Sequence, residues 1–251
     1  STLEEAEVGS ADMVIASTDS DEANIVACAT AKTLDDPFTI ARVKQVDYLE
    51  TWERSSGAFG VDFMVSTDLL TARSIVRIAG LPGAQDVDSF AEGKVSMAQF
   101  EVHPDSPIAD QTVVEADRFS SLTFAALLRD DGVVIPRGDT VIEPGDDVVV
   151  IGSVDSVRQF ASTLAPAGDP EVAHDAVVVG GSAIGFQTAR LFADGKVRTR
   201  LVEHDHERAR HIAEELSDIV VLESDATDTD FLKREHVGDA DLVIAALESD
   251  E

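Results

Sequence analysis

A glycine-rich turn in the last third of the sequence has the residue types and spacing that bind phosphate groups. It reads Gly180-Gly181-Ser182-Ala183-Ile184-Gly185, directly after the apolar run 176–179, and an apolar segment follows it. In such a strand–turn–helix unit, the first glycine makes the tight turn and a small second residue lets the backbone approach phosphates. The last glycine allows close packing of helix on strand. The helix N-terminus adds N–H groups and a positive dipole. The pattern predicts a dinucleotide-binding turn with Ser182 in the second glycine position.

An acidic residue stands where this kind of turn needs a partner for a ribose. Glu203 ends the next predicted strand, 203 − 180 = 23 residues after the first glycine. From that position a carboxylate hydrogen-bonds the hydroxyl groups of an adenosine ribose. The same carboxylate would repel a 2′-phosphate, so the sequence disfavours NADP. A tight strand–helix turn that binds no ligand is the alternative interpretation.

The other residues with chemical potential form no catalytic or metal-binding pattern. His204 and His206 lie close together, but no cysteine or further histidine stands at metal-ligand spacing, so we interpret them as solvent-exposed loop residues. Cys28 lies among alanines in a predicted buried helix, which favours a small apolar filler over a reactive thiol. The acidic clusters at 19–22 and 248–251 suit helix N-termini, with cation binding as the lesser alternative. We therefore expect no bound metal and no enzymatic activity.

The two ends of the chain repeat each other. Residues 1–22 align without a gap on residues 230–251, with Leu3 on Leu232, so the offset is 232 − 3 = 229. Half of the paired positions are identical, which marks a structural unit used twice. We expect the chain to be a window of a longer tandem protein, beginning late in one copy and ending at the same point in the next.

The composition is strongly acidic and poor in lysine. The formal net charge is −30, and only five of the 19 basic residues are Lys. Such a surface on an ordinary core suits a cytosol of molar salt, where the Debye length is about 3 Å, so we expect a halophilic protein. An acidic mesophilic protein is the alternative. Nucleic acid is not an expected partner. The sequence shows no signal peptide and no span long enough to cross a bilayer, which predicts a cytoplasmic protein without membrane insertion.

Strand and helix patterns divide the chain into three segments, 1–90, 93–166 and 173–251. The first and third alternate apolar strands with helices, which implies parallel sheets covered on both faces. The middle segment has short strands joined by turns, typical of a small α+β module. Leu81-Pro82-Gly83 and a Pro/Gly linker at 166–170 separate the segments. We predict strands at 12–17, 38–43, 61–66, 95–102, 122–128, 133–136, 147–152, 176–179, 197–203, 219–223 and 241–246, and helices at 21–34, 47–55, 69–79, 154–164, 186–194 and 206–216, with a short helix ending at Val237.

The segments after the glycine turn resemble a known family. LVEHDHERAR, SDATD and GDADLVIAALESDE follow the turn in this order and resemble the RCK (or KTN) nucleotide-binding domain of TrkA-type subunits in potassium uptake systems. The first segment, with VGSADMVIASTDSDEANIVACATAK, is similar to the later half of the same domain. The middle segment, with VHPDSPIADQTV and VIPRGDTVIEPGDDVVVIG, is similar to the TrkA-C (RCK-C) module. The resemblance implies an α/β fold in which Rossmann-like parallel half-sheets flank a small α+β TrkA-C module.

The resemblance also implies roles for single residues. Gly180, Ser182 and Gly185 would line the phosphates and Glu203 the ribose. Arg208 is a candidate phosphate or ribose contact, with a solvated helix face as the alternative. Ser182 in place of the usual glycine, and SDAT in place of the more frequent GDAT, depart from the family pattern and bear on affinity and nucleotide preference. The residues expected beside the adenine are Asp225, Ala226 and Thr227.

The function implied by the resemblance is regulatory. The chain would belong to a cytoplasmic, non-enzymatic subunit that binds NAD(H) or ATP/ADP and moves a membrane-embedded potassium transporter subunit. One alternative is an NAD-dependent oxidoreductase, for which the middle segment offers only His103 as an acid–base residue. A second is a stand-alone RCK-type ligand sensor or redox-responsive transcription factor, against which the acidic surface and the lack of a DNA-binding motif count.

Each Rossmann-like half is short of strands. Residues 173–251 would supply strands 1 to 4 of a six-stranded sheet, and residues 1–66 strands 4 to 6. Because an open sheet edge is unstable in isolation, we expect the halves to complete one sheet, within the chain or between two chains, and we expect at least a dimer.

Overall fold

The computed structural model describes residues 8–55, 58–81, 83–129, 132–164 and 173–247. Two compact units make up the chain: Ser1–Ala72 with Ser182–Gln187, and Arg73–Gly181 with Thr188–Glu251. Among the described residues, no helix is both long and apolar enough to cross a bilayer. The predicted linker at 166–170, the acidic cluster at 248–251, and Pro82 lie outside the described residues.

Residues 8–79 contain a three-stranded parallel sheet with helices. The strands are β1 (Met13–Ala16), β2 (Phe38–Arg42) and β3 (Phe63–Val65), and the helices are α1 (Asp21–Asp35), α2 (Val46–Arg54) and α3 (Thr67–Ala79), with 3₁₀ turns at Val8–Ser10 and Ala58–Gly60. The strand order is β1-β2-β3. Helix α1 begins where the sequence predicts it, because the Ser20 side chain accepts a hydrogen bond from the Ala23 N–H and two acidic residues fill the first turn. Its inner face buries Ile25, Cys28 and Ala31.

The second unit contains a five-stranded antiparallel sheet. The elements are β4 (Ala84–Phe90), β5 (Val95–Glu101), α4 (Val113–Ala116), β6 (Leu122–Arg129), β7 (Gly132–Val134), β8 (Asp147–Ser153) and α5 (Val154–Leu164). The strand order is β4-β5-β8-β6-β7. The closing helix α5 packs on the sheet through Phe160, whose ring meets those of Phe100 and Phe124 edge-on at centroid distances of 5.4 Å. Strand β4, which we did not predict, is an edge strand of mostly exposed polar residues in which Val87 alone is buried.

Residues 173–247 contain a four-stranded parallel sheet. The elements are β9 (Asp175–Val179), α6 (Ala183–Asp194), β10 (Arg198–Glu203), α7 (His206–Glu215), β11 (Val220–Glu223), α8 (Thr229–Arg234), a 3₁₀ turn at Val237–Asp239 and β12 (Leu242–Ala245). The strand order is β11-β10-β9-β12. The inner strand β9 is buried, which explains the continuous apolar run in the sequence. Helix α6 begins three residues before the predicted start at Phe186.

The repeat seen in the sequence is a repeat of structure. Adding 229 to the bounds of β1, 13 + 229 = 242 and 16 + 229 = 245, gives the bounds of β12. Adding it to the turn Val8–Ser10 gives the turn Val237–Asp239. The described strands nevertheless form separate parallel sheets, so completion of one sheet within the chain is not observed. Completion between two chains stays a prediction.

Candidate functional site

The glycine turn starts at the carboxyl end of β9, and its first residue must be glycine. Gly180 has φ +99°, a left-handed conformation, and its N–H donates to the carbonyl of Val202 at 2.8 Å. A Cβ at Gly180 would lie 2.6 Å from the carbonyl oxygen of Ala246. Both the backbone conformation and the contact exclude a side chain here. The predicted tight turn is therefore present.

The second residue of the turn, Gly181, is restricted by packing. A Cβ on it would lie 2.5 Å from Cδ1 of Ile212 and 2.7 Å from Oε2 of Glu203. Its N–H donates to the same Glu203 oxygen at 2.7 Å. Gly181 belongs to the predicted turn, but the motif assigns no packing requirement to this position, so the restriction was not predicted. The doublet Gly180-Gly181 was the available signal.

Ser182 is the N-cap of helix α6. Its Oγ accepts a hydrogen bond from the N–H of Gly185 at 3.1 Å, and its carbonyl accepts one from Phe186 at 2.8 Å. The residue is buried, with 8% of its surface exposed. This cap explains why α6 begins at Ala183, because a serine oxygen at the N-cap satisfies one of the first helical N–H groups. Ala183 is exposed, Ile184 half-buried and Gly185 buried.

Glu203 faces the turn and lies among hydrogen-bond donors. Only 4% of its surface is exposed. While Oε2 accepts from Gly181, Oε1 accepts from the N–H of Asp205 at 2.8 Å and lies 3.0 Å from Nδ1 of His204. The structure thus places this carboxylate at the carboxyl end of β10, directly against the turn, as the spacing of 23 residues predicts.

Arg208 lies beside the same turn, in the first part of helix α7. Asp205 caps that helix by accepting from the Arg208 N–H at 2.8 Å. The Arg208 Cδ lies 3.3 Å from the position that a Cβ on Gly181 would occupy. The side chain of Arg208 therefore approaches the glycine turn and does not only cover an outer helix face.

The residues after β11 lie at the neighbouring strand end. Ser224 donates its N–H to the Glu203 carbonyl at 3.0 Å, which ties this segment to the end of β10. The Asp225 carboxylate accepts from both the N–H and the hydroxyl of Thr227, each at 2.8 Å. These two bonds lower the pKa of Asp225 below its usual range. Ala226 packs against the buried residues Val177, Val202, Phe231 and Val237.

Two histidines pair with the carboxylates at these strand ends, and these pairs were not predicted from the sequence. Glu203 and Glu223 are register partners in the parallel pair β10–β11. His204 lies against Glu203, and Nδ1 of His206 lies 2.8 Å from Oε2 of Glu223. The Glu223 carboxylate raises the pKa of His206. Both histidines are exposed, as expected, but His206 is the first residue of helix α7 and not a loop residue. Among the described residues, no group of three or more acidic, histidine or cysteine side chains is placed to hold a metal ion.

In the first unit, the carboxyl ends of β1 and β2 are held by polar side chains. Asp21 is buried, with 5% of its surface exposed, and its carboxylate accepts hydrogen bonds from the N–H groups of Lys44 and Gln45. Asn24 accepts from the N–H of Thr18 at 2.7 Å and donates to the carbonyl of Arg42 at 2.9 Å. The first turn of α1 thus hydrogen-bonds to the chain after both strands, in addition to the interaction of its acidic residues with the helix dipole. Cys28 in the same helix is fully buried, and burial raises the pKa of its thiol.

Models of two domain families match the chain. A TrkA-N domain model matches residues 1–67 and 176–251, and a TrkA-C domain model matches residues 97–165. Among curated relatives, a Trk system potassium uptake protein trkA homolog 1 from Methanosarcina mazei is 34% identical over 96% of this chain and 61% of its own length. A TrkA homolog from Archaeoglobus fulgidus is 31% identical over 99% and 56%, and TrkA from Vibrio alginolyticus 32% over 99% and 55%. The chain thus spans little more than half the length of these relatives.

Solved structures show the same fold. The GsuK channel superposes with a TM-score of 0.67 at 20% identity, covering 97% of this chain and 42% of the channel chain. The crystal structure of the GsuK RCK domain gives 0.64 at 20% identity, covering 97% and 51%. The GsuK channel bound to NAD gives 0.63 at 21% identity, covering 97% and 42%. The mixed α/β fold with Rossmann-like parallel sheets is therefore confirmed.

Proposed function

Because the chain belongs to the TrkA family, with TrkA-N sequence on both sides of a TrkA-C domain, we propose that it is a nucleotide-binding regulatory part of a Trk-type potassium transport system. The observation that carries the proposal is the arrangement of Glu203 against a glycine turn in which neither Gly180 nor Gly181 has room for a Cβ. In a phosphate and ribose site of this kind, glycines let the backbone approach the phosphates, and an acidic residue at the end of the next strand hydrogen-bonds the ribose.

The ligand in this proposal is NAD(H) or ATP/ADP. Phosphates bind at Gly180–Gly185 and the start of α6, where the helix dipole favours an anion. Glu203 exchanges its bond to the Gly181 N–H for bonds to the ribose hydroxyls, and its charge repels a 2′-phosphate, so NADP is disfavoured. Arg208 contacts a phosphate or the ribose, since its side chain approaches the turn. In this proposal the adenine lies beside Asp225, Ala226 and Thr227.

The chain works as a binding module and not as an enzyme. Residues 1–90 form the later half of one RCK domain, 93–166 the TrkA-C domain and 173–251 the first half of a second RCK domain. Nucleotide occupancy favours one conformation of the assembly, and a hundredfold difference in affinity between two conformations supplies about 2.7 kcal/mol. The partner is a membrane-embedded potassium transporter or channel subunit on the cytoplasmic side. The assembly contains at least two copies of the chain, and nucleic acid is not a partner.

The experiment is a thermal-unfolding titration in molar KCl with NAD, NADH, NADP, ATP and ADP. Wild type is compared with Glu203→Ala and with Glu207→Ala, a matched control because Glu207 is exposed in the first turn of α7. At one hundred times the Kd, a ligand adds about 2.7 kcal/mol to stability. We expect stabilisation by NAD(H) or ATP/ADP that persists in Glu207→Ala, is lost in Glu203→Ala and is absent with NADP. Equal responses of the two variants would refute the assigned site.

A further inference from the structure

Ser182 occupies the position at which the backbone of a nucleotide-binding turn comes closest to the phosphates. In this chain its hydroxyl oxygen is already used within the protein, since it accepts the N–H of Gly185 at 3.1 Å. The first three N–H groups of a helix are the ones that face a bound anion. In α6 these belong to Ala183, Ile184 and Gly185, and the serine cap engages the third.

A second N–H group of the turn is also engaged. The Gly181 N–H donates to the buried carboxylate of Glu203 at 2.7 Å. An incoming phosphate must therefore compete with Ser182 for one donor and with Glu203 for another. Ser182 also hinders the phosphates sterically, which Glu203 does not. The Cβ of Ser182 occupies space beside the backbone segment that must approach the phosphates.

From these contacts we propose that Ser182 sets the affinity of this turn for diphosphate-containing ligands. It satisfies the turn internally and makes ADP, ATP or NADH bind weakly and exchange readily. This inference rests on the proposed function, because it concerns the same phosphate site. The adenosine part of the ligand is unaffected, since Ser182 acts on the phosphate contacts alone.

Two substitutions separate the effects of the cap and of the Cβ. Ser182→Ala removes the hydroxyl but keeps the Cβ, whereas Ser182→Gly removes both. Glycine also replaces an N-cap residue at little cost to the helix, so Ser182→Gly is the variant expected to fold best. The matched control is Ser153→Gly, because Ser153 Oγ accepts the N–H of Ser156 at 3.2 Å at the start of α5 and caps a helix outside the turn.

The experiment is isothermal titration calorimetry in molar KCl with ADP, NADH and adenosine as probes. One additional hydrogen bond to a charged group such as a phosphate typically lowers Kd by about tenfold or more. We expect Ser182→Gly to bind ADP and NADH about tenfold more tightly than wild type, and Ser182→Ala to gain less. Adenosine affinity stays unchanged in both, and Ser153→Gly matches wild type with every probe.

Three results would overturn the inference. If wild type binds ADP and Ser182→Gly binds it no more tightly, the inference fails and the proposed function stands. An equal gain for adenosine would mean that Ser182 does not act through the phosphates. If neither wild type nor any folded variant binds ADP, NADH or adenosine, both the proposed function and this inference fail.

Discussion

Gly181→Ala tests whether the glycine turn is packed as tightly as the structure indicates. The added methyl would lie 2.5 Å from Cδ1 of Ile212 and 2.7 Å from Oε2 of Glu203. Carbon atoms in van der Waals contact are about 3.5–4.0 Å apart, so at least one neighbour must move by about 1 Å. Ile212 has 1% exposure and Glu203 4%, so neither side chain can turn into solvent.

The expected cost is a loss of about 1–3 kcal/mol in the free energy of unfolding. Overpacking a filled core costs about 1–3 kcal/mol, and displacing Glu203 weakens a hydrogen bond that contributes about 1 kcal/mol. Alanine has fewer unfolded conformations than glycine, which raises the free energy of unfolding by about 0.4–1 kcal/mol and offsets part of this loss. The assay is urea unfolding in molar KCl. Gly238→Ala is the matched control, because no atom lies within 4 Å of the added methyl, and it should change stability by less than about 0.5 kcal/mol.

Ile212→Val completes a double-mutant cycle, because it removes the Cδ1 methyl that meets the new side chain. Alone it costs about 0.5–1.5 kcal/mol. Combined with Gly181→Ala it should cost less than the sum of the two single changes by about 1 kcal/mol. Additive costs, or a Gly181→Ala variant as stable as Gly238→Ala, would refute the packing argument.

Three further predictions concern charges. The Glu223 carboxylate raises the pKa of His206, so this pair stabilises the fold below about pH 6.5, and the contribution is lost as the pH rises through the folded-state pKa of His206. Glu223→Gln should therefore lower the urea midpoint at about pH 5.5, where a carboxylate is ionised and a histidine protonated, and leave the midpoint unchanged at alkaline pH. Asp146 is buried and accepts two hydrogen bonds from Arg129, at 2.7 and 2.9 Å, so Asp146→Ala should lower the free energy of unfolding by about 3–5 kcal/mol. The Glu143 side chain also pairs with Arg129 but is 58% exposed, so Glu143→Ala should lower it by less than about 1 kcal/mol. Chemical denaturation measures both values. The net charge of −30 makes the acidic surface repel itself. Raising KCl from about 0.1 to 1 M shortens the Debye length from about 10 to 3 Å and should therefore raise the Tm of the chain. A Tm that falls or stays constant would contradict the expected halophilic adaptation.

The local features of the site follow from the sequence, but its packing does not. The spacing of Gly180 and Glu203 predicts a turn and a facing carboxylate, because strand ends in a parallel sheet meet at one edge. The restriction at Gly181 depends on Ile212, which comes close only when α7 has packed on the sheet. The pairing of His206 with Glu223 likewise depends on the register of β10 and β11. Contacts between elements distant in sequence leave no local pattern.

The fold shows the same division. Strand β9 was predictable because a buried parallel strand is a continuous apolar run. Strand β4 was not, because an edge strand that buries only Val87 has no such run and resembles a loop. The start of α6 was placed too late at Phe186, since Ser182 was considered as a phosphate-site residue and not as an N-cap. A serine at this position can act as a phosphate-site residue or as an N-cap, and only the structure shows which hydrogen bonds it makes.

A crystal structure of the chain grown in molar KCl with NADH or ADP would show directly whether the glycine turn binds a nucleotide. We expect phosphate oxygens within hydrogen-bond distance of the backbone N–H groups at Gly180–Gly185 and the start of α6. We also expect the Glu203 carboxylate to leave the Gly181 N–H and bind the ribose hydroxyls. A nucleotide bound elsewhere, or a Glu203–Gly181 hydrogen bond that remains at 2.7 Å with the ribose outside the reach of Glu203, would rule out this site.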